Sequence, residues 1–130
     1  MNQNNQVNCL DNNFNDNFND TNYNIVYKVH NKNSEYKSKK ELLNCINSTM
    51  CYFDRYNIPA NINLVCYYCT IKCHSSDISK FTCRYIDGKN TYDVPICPNC
   101  HIDAIISIDK LKQKKIGKSI LYQMRKLVFE

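Results

Sequence analysis

The 130-residue sequence contains no tryptophan, only two glycines and only three prolines, which leaves few residues for tight turns. It also lacks an apolar run that approaches the ~18 residues of a membrane span. Its first residues have neither the basic region nor the apolar region of a secretory signal. We therefore expect an intracellular protein, cytoplasmic or nuclear, that makes no contact with a membrane and whose thiols stay reduced.

The first 24 residues are rich in asparagine and contain the tetrapeptide Asn-Phe-Asn-Asp twice in tandem, at residues 13–16 and 17–20. Such a polar tract has too few apolar groups to offset a backbone ordering cost of about 1–2 kcal/mol per residue. We therefore predict a disordered tail over residues 1–24. The abundance of Asn, Ile, Lys and Tyr, whose codons are A- or T-rich, indicates a genome of low GC content such as that of a large DNA virus.

Nine cysteines are present, and four of them form two Cys-x-x-Cys pairs, Cys66 with Cys69 and Cys97 with Cys100. In a reducing compartment, cysteines clustered in this way indicate metal binding or redox chemistry. Zinc takes four ligands in a tetrahedron, and a two-residue spacer lets a tight turn present two sulfurs to one ion. The four paired cysteines are therefore the predicted ligands of one structural Zn²⁺.

The residues between the two pairs predict a β-hairpin. The stretch FTCRYIDGKNTYDVPI, residues 81–96, alternates β-favouring residues around an Asp87-Gly88 turn signal. The stretch HIDAII, residues 101–106, then has the character of a return strand. We predict an α+β fold in which a small zinc ribbon over residues 64–130 packs with two or more helices, preceded by a helical segment over residues 25–63.

Two other interpretations of the second pair agree less well with the sequence. Covalent haem attachment at Cys97, Cys100 and His101 requires export and leaves the first pair unexplained. A thioredoxin-like dithiol needs a helix after the pair, whereas residues 101–106 have strand character, so a redox role stays a distant alternative.

Four further residues near the pairs could each replace a paired cysteine as a ligand: Cys73, His74, Cys83 and His101. Their spacing matches no pattern for a second zinc site. We expect Cys83 to face the core of the hairpin and His74 to lie in a loop. His101 follows the second pair at a place where a positive φ is common, and histidine tolerates that conformation.

Two segments have helical periodicity. Ser38 and Glu41 have the spacing of a capping box, which predicts a helix that begins there and ends before Pro59. Its predicted apolar face consists of Leu42, Leu43, Ile46, Met50 and Phe53.

The second helix is predicted from about Leu111 to the end of the chain, and it is strongly amphipathic. Its apolar face consists of Ile116, Ile120, Leu121, Met124, Leu127 and Val128. The opposite face is basic and consists of Lys114, Lys115, Lys118, Arg125 and Lys126. Residues 109–130 contain seven basic and two acidic residues, a surplus as large as the net charge of +5 of the whole chain.

This basic face, together with Tyr67 and Tyr68, forms the candidate contact surface for a nucleic acid or a protein partner. Phosphates would bind the lysines and bases would stack on the tyrosines, but lysine greatly outnumbers arginine, which disfavours bidentate recognition. Four thiolates close the zinc shell and leave no position for a reacting water, so we predict no enzymatic activity. The first hypothesis is a structural or protein-interaction module, and a nucleic-acid-binding accessory protein is the alternative.

Three strings carry a resemblance to known proteins: CYYCTIKCHSSDISKF (66–81), ICPNCHIDAII (96–106) and ILYQMRKLVFE (120–130). The chain resembles a group of small uncharacterised zinc-ribbon proteins of bacteria, phages and large DNA viruses, over about residues 64–130. His101 departs from the glycine of that pattern. The resemblance implies a metal-binding fold and names no function. The matching positions are Cys66, Cys69, Asp77, Ile78, Cys97, Pro98, Cys100, Ile102, Asp103, Ile105 or Ile106, Leu121, Met124 and Phe129.

Overall fold

A computed structural model describes residues 16–29 and 37–130, and over these residues the fold is α+β with antiparallel sheets, as predicted. The predicted tail up to residue 15, with Cys9 and Phe14, and also His30 lie outside the described residues. The strands are β1 (Ile25–Val26), β2 (Asn63–Cys66), β3 (Ile71–His74), β4 (Phe81–Asp87), β5 (Asn90–Pro95) and β6 (Ile105–Ser107). The helices are α1 (Lys39–Thr49), α2 (Ile108–Gln113) and α3 (Ser119–Phe129), with a short 3-10 turn at Ser75–Asp77.

The larger sheet has four strands in the order β1-β3-β2-β6, all antiparallel. Strand β2 is central, and Leu64 lies opposite Cys73 on one side and Ser107 on the other. Because β2 has a neighbour on both sides and is covered by α2, Leu64 and Val65 are fully buried. Helix α1 packs against α3, α2 and β6 and completes the core.

The smaller sheet is the predicted hairpin, formed by β4 and β5. Asp87 pairs with Asn90, so Gly88 and Lys89 form a two-residue loop, and Gly88 has a φ of 61°. A glycine at the first central position is what this kind of tight hairpin loop requires. Strand β4 is exposed from its second residue onwards, so the hairpin extends away from the core.

Helix α1 begins at the predicted capping box: the Glu41 N–H donates to Ser38 Oγ, and the Ser38 N–H donates to the Glu41 carboxylate. The helix ends at Thr49, so the prediction that Met50 and Phe53 continue its apolar face is wrong. Backbone bridges from Met50 to Ile106 and from Phe53 to Asp93 hold the following residues extended.

The predicted C-terminal helix is interrupted. Helix α2 ends at Gln113, and the chain turns at Lys115, which has a φ of 57°, before α3 begins. A β-carbon at Gly117 would overlap Asp16, so the close approach of the N-terminal segment requires a glycine in this turn. Of the predicted apolar faces, Leu43 and Val128 are exposed instead of buried.

The second Asn-Phe-Asn-Asp repeat, within the predicted tail, packs against the fold. Phe18 is only 2% exposed and contacts Tyr27 edge to face. Asp20 accepts hydrogen bonds from the Tyr27 hydroxyl and the Lys72 ammonium. Residues 16–24 thus differ from the predicted disorder, since Phe18, Tyr23 and the Asp20 carboxylate all contact the rest of the fold. Among the described residues, no helix has the length and apolar character needed to cross a bilayer.

Candidate metal centre

The sulfurs of Cys66, Cys69, Cys97 and Cys100 all lie within 4.8 Å of one another, although the two pairs are far apart in sequence. The Cys66 and Cys100 sulfurs are 3.6 Å apart, and so are those of Cys69 and Cys97. A tetrahedron with metal–sulfur bonds of about 2.3 Å has edges of about 3.8 Å. The four cysteines are free thiols and form a group that could hold a metal ion.

The two Cys-x-x-Cys turns have nearly the same backbone hydrogen bonds. The N–H groups of Tyr68 and Cys69 point at the Cys66 sulfur, at 3.4 and 3.5 Å. In the second turn the N–H groups of Asn99 and Cys100 point at the Cys97 sulfur, also at 3.4 and 3.5 Å. Each turn thus directs two donors at its first sulfur, an arrangement that stabilises thiolates.

Each turn ends at a residue with left-handed backbone conformation. Thr70 has a φ of 64° and His101 a φ of 65°, which confirms the positive φ predicted for His101. The Thr70 N–H donates to the carbonyl of Cys66, and the His101 N–H to that of Cys97. These residues reverse the chain so that β3 and β6 lead away from the sulfurs.

Burial and the close approach of the sulfurs shift the pKa of three of these thiols. Hydrogen bonds with Cys69 and Cys97, together with burial, raise the pKa of the Cys66 thiol. Hydrogen bonds from Cys66 and Cys97 lower the pKa of the Cys69 thiol, and burial raises the pKa of Cys100 to about 11. A metal ion that binds these sulfurs must displace the thiol protons, so its binding should weaken as the pH falls.

The remaining described cysteines lie outside this group. Cys45, Cys51 and Cys73 are buried, and burial raises the pKa of the Cys51 thiol to about 11 and of the Cys73 thiol to about 12. They are therefore core residues with little thiolate character. Cys83 is exposed on β4, so the prediction that it faces the hairpin core is wrong.

Neither described histidine joins the four sulfurs. His74 lies in strand β3 instead of a loop, and its ring contacts that of Tyr23, with ring centres 3.5 Å apart and planes tilted by 41°. His101 is exposed beyond the second turn. The group of ligand atoms that could hold a metal contains neither of them, nor Cys73 or Cys83.

The tyrosines between the first two cysteines contact the end of α3. Tyr67 is buried, and Phe129 lies 5.9 Å from its ring and 5.0 Å from that of Tyr68. The Arg125 guanidinium lies 4.4 Å from the Tyr68 ring centre and donates to the Tyr68 carbonyl. These contacts attach α3 to the first turn, so Tyr67 offers no open face on which a base could stack.

The predicted basic helix face is divided in the structure. Lys118 is only 8% exposed, lies over the Tyr27 ring and approaches Asp20 at 3.8 Å. Lys126 is exposed and pairs with Glu130. Lys114 and Lys115 remain exposed, on the turn between α2 and α3.

Two side chains that contact the first Cys-x-x-Cys turn were not predicted from the sequence to do so. The Asn99 amide donates to the Cys69 sulfur at 3.4 Å, from the second turn to a cysteine of the first. The position of Asn99 between Cys97 and Cys100 is the sequence feature that could have indicated this contact. Arg125 was predicted as a candidate contact for a nucleic acid or a protein partner, and nothing in its local sequence indicated a contact with Tyr68, 57 residues away.

No protein-family model, curated protein or solved structure matches this chain.

Proposed function

We propose that this chain is a structural zinc protein, in which one Zn²⁺ bound by Cys66, Cys69, Cys97 and Cys100 closes a zinc ribbon. The observation that carries the proposal is the spacing of the four sulfurs, which lie within 4.8 Å of one another with two edges of 3.6 Å. That spacing is close to the edge of a zinc–thiolate tetrahedron, about 3.8 Å. Donors from both turns offset part of the negative charge of four thiolates.

The proposed role of the metal is structural, as a link between the two sheets. Strand β2 ends at Cys66 and strand β5 ends two residues before Cys97, so one ion would join the core sheet to the hairpin. Structural zinc contributes about 10–16 kcal/mol in small zinc modules at neutral pH. Four thiolates fill the tetrahedron and leave no position for a substrate, which supports a scaffold role over catalysis.

A protein held in this way serves as an interaction module. The exposed hairpin and the turn between α2 and α3 are the surfaces that the core leaves free. A second candidate function, nucleic-acid binding, is favoured by one specific observation. Four lysines in α2 and the turn that follows it are exposed and have no ion-pair partner among the described residues: Lys110, Lys112, Lys114 and Lys115.

Metal content tests the first proposal. Native mass spectrometry and elemental analysis of the full chain should give one zinc per chain, and Co²⁺ exchange should give the absorption bands of a tetrahedral tetrathiolate site. Cys66→Ser and Cys97→Ser should each lose the metal. Cys83→Ser is the matched control, because Cys83 is an exposed cysteine outside the group, and it should keep the metal. Folded wild-type protein without metal, or equal loss in the control, would contradict the proposal.

The same protein tests the second candidate. Binding to single-stranded or duplex nucleic acid should weaken steeply with salt, because phosphate contacts release counterions. Lys114→Glu combined with Lys115→Glu should abolish it, whereas Lys126→Glu, on a lysine that already has an acidic partner, should change it little. Binding that is insensitive to salt, or to the double substitution, would contradict a phosphate contact at this turn.

A further inference from the structure

Three tyrosines surround a shallow cavity on the exposed side of the hairpin. The cavity has a volume of about 350 Å³ and is lined by Tyr52, Tyr85, Tyr92 and Asp87. The tyrosine side chains keep between 37% and 54% of their surface exposed to solvent. Aromatic side chains of this size are normally buried more completely, so their shared exposure needs an explanation.

The strand register places these residues together. Tyr85 lies directly opposite Tyr92 in the β4–β5 pair, and Asp87, two residues along β4, projects from the same face. Tyr52 comes from the segment after α1. Its ring stands at 88° to the Tyr85 ring and 74° to the Tyr92 ring, with centres 6.0 and 6.5 Å apart. Rings at these angles form the walls of a corner.

The corner is held in place from its other side. Phe53, next to Tyr52, exchanges two backbone hydrogen bonds with Asp93, next to Tyr92. The Asp93 carboxylate is fully buried and accepts hydrogen bonds from the guanidinium groups of Arg55 and Arg84. The Arg84 contact also ties β4 to β5, so the positions of all three tyrosines are set before any ligand arrives.

The charge of the cavity indicates the ligand. The faces of aromatic rings carry negative electrostatic potential and attract cations. No lysine or arginine lines the cavity, and Asp87 has no ion-pair partner among the described residues. A phosphate would be repelled by that carboxylate. An unmodified ammonium is strongly hydrated, so its entry into the cavity would cost the free energy of removing that water. A methylated ammonium carries the same charge, but its methyl groups can contact the apolar ring faces.

We propose that Tyr52, Tyr85, Tyr92 and Asp87 form an aromatic cage for a trimethylammonium group, as carried by a trimethylated lysine side chain or by choline. This inference concerns a site separate from the four cysteines, since no thiol lines the cavity. The tyrosine rings contact the methyl groups, and Asp87 supplies the opposite charge at the rim.

The full chain, loaded with its metal, is titrated with choline and with its neutral isostere 3,3-dimethylbutanol, while NMR follows the tyrosine ring signals. Because only choline carries the charge, it should bind about 3–30-fold more tightly, the range expected of a cation over aromatic rings. Equal affinity for the two compounds, or no shift of the cage tyrosines with either, would overturn the proposal. A peptide with trimethyl-lysine, compared with the unmodified peptide, separates a modified protein from free choline as the source.

Substitutions on the cage give a second test. Tyr85→Leu and Asp87→Asn should each weaken choline binding by about three- to tenfold, whereas Tyr85→Phe keeps the ring and should bind as the wild type does. Tyr56→Leu is the matched control, because Tyr56 is exposed and does not line the cavity. Amide spectra that match the wild type show that each variant is folded. A Tyr85→Leu variant that is folded and binds choline normally would also overturn the proposal.

Discussion

The two sheets of this protein use different interactions although they meet at the same four cysteines. In the larger sheet, strand β2 has two neighbours and its last three residues are buried. In the hairpin, strand β4 has one neighbour and is almost wholly exposed. Strand β5 has a buried end at Asp93, Val94 and Pro95, but the rest of the hairpin is exposed, and an isolated two-stranded hairpin is marginal by itself. The hairpin therefore depends on closure at its base and on a few polar contacts.

The largest expected effect is a difference between the two sheets in hydrogen exchange after the metal is removed. If one ion closes the base of the hairpin, a chelator should increase hydrogen exchange in residues 81–95 by roughly 100-fold or more. The amides of β2 and α1 should keep most of their protection, because apolar packing and not the metal holds them. Exchange measured by mass spectrometry resolves the two regions, with Cys83→Ser as a metal-binding control. Equal loss of protection in both sheets would show that they form one cooperative unit.

The second effect tests the buried carboxylate on which the hairpin depends. The Arg55 and Arg84 guanidiniums hold the pKa of Asp93 well below its usual range, so Asp93 stays ionised at neutral pH. Asp93→Asn removes the negative charge between two positive groups and should lower the midpoint of thermal unfolding by about 10 °C.

The matched control for that substitution is Asp103→Asn, at an exposed carboxylate with no ion pair among the described residues. It should shift the midpoint by much less, as surface substitutions usually do. A similar midpoint for both variants would show that the exposed sides of the two arginines already satisfy their charges through water.

The third effect concerns the carboxylate that attaches the N-terminal segment to the larger sheet. Burial acts to raise the pKa of Asp20, but hydrogen bonds from Lys72 and Tyr27 lower it below the ordinary 3.8. A carboxylate with a depressed pKa stabilises the fold at pH values above its unfolded pKa, and this stabilisation is lost as the pH falls through the folded pKa.

Asp20→Asn should therefore reduce the free energy of unfolding by about 1–2 kcal/mol at pH 7, measured by urea denaturation. The difference from the wild type should shrink as the pH falls below about 4. Asn19→Ala, at the adjacent exposed residue, should have little effect at either pH. A difference that stays constant with pH would mean that the substitution disturbs packing and that the charge of Asp20 contributes nothing.

Local patterns allowed the sequence to predict part of this architecture. The two Cys-x-x-Cys turns, the Gly88 hairpin and the capping box of α1 each depend on residues within a few positions of one another. Their spacing fixes which atoms can meet, and the four sulfurs do lie together. The identity of the ion stays a prediction, because several metals accept four thiolates.

Contacts between distant residues could not be predicted in the same way. The pairing of Lys118 with Asp20 joins residues 98 positions apart, and it turns a predicted surface lysine into a buried one. Phe18 has the same local sequence as Phe14, so no local signal marked it for the core. The approach of Asp16 to Gly117, at the break between α2 and α3, likewise joins residues far apart in sequence. In each case the tertiary fold overrides the local pattern.

The smallest expected effect comes from a comparison of the two Cys-x-x-Cys turns. His101 and Thr70 have almost the same positive φ, which is unfavourable for residues with a side chain. His101 is exposed, and no side-chain hydrogen bond involves its ring among the described residues. His101→Gly should therefore stabilise the protein by about 0.5–1 kcal/mol, measured by urea denaturation of the metal-loaded form. Destabilisation would show that the imidazole has a role in the second turn.

Thr70→Gly should not give the same gain, although it relieves the same backbone conformation. The Thr70 hydroxyl is buried and donates to the Tyr27 carbonyl at 2.8 Å, which ties the first turn to the segment that follows β1. Losing that hydrogen bond costs about 1 kcal/mol and offsets the relief. An equal gain from both substitutions would mean that this hydroxyl contributes nothing, and the two turns would then be energetically equivalent. A smaller gain at Thr70 would show that the first Cys-x-x-Cys turn, on the side of the larger sheet, is held by protein contacts that the second turn lacks.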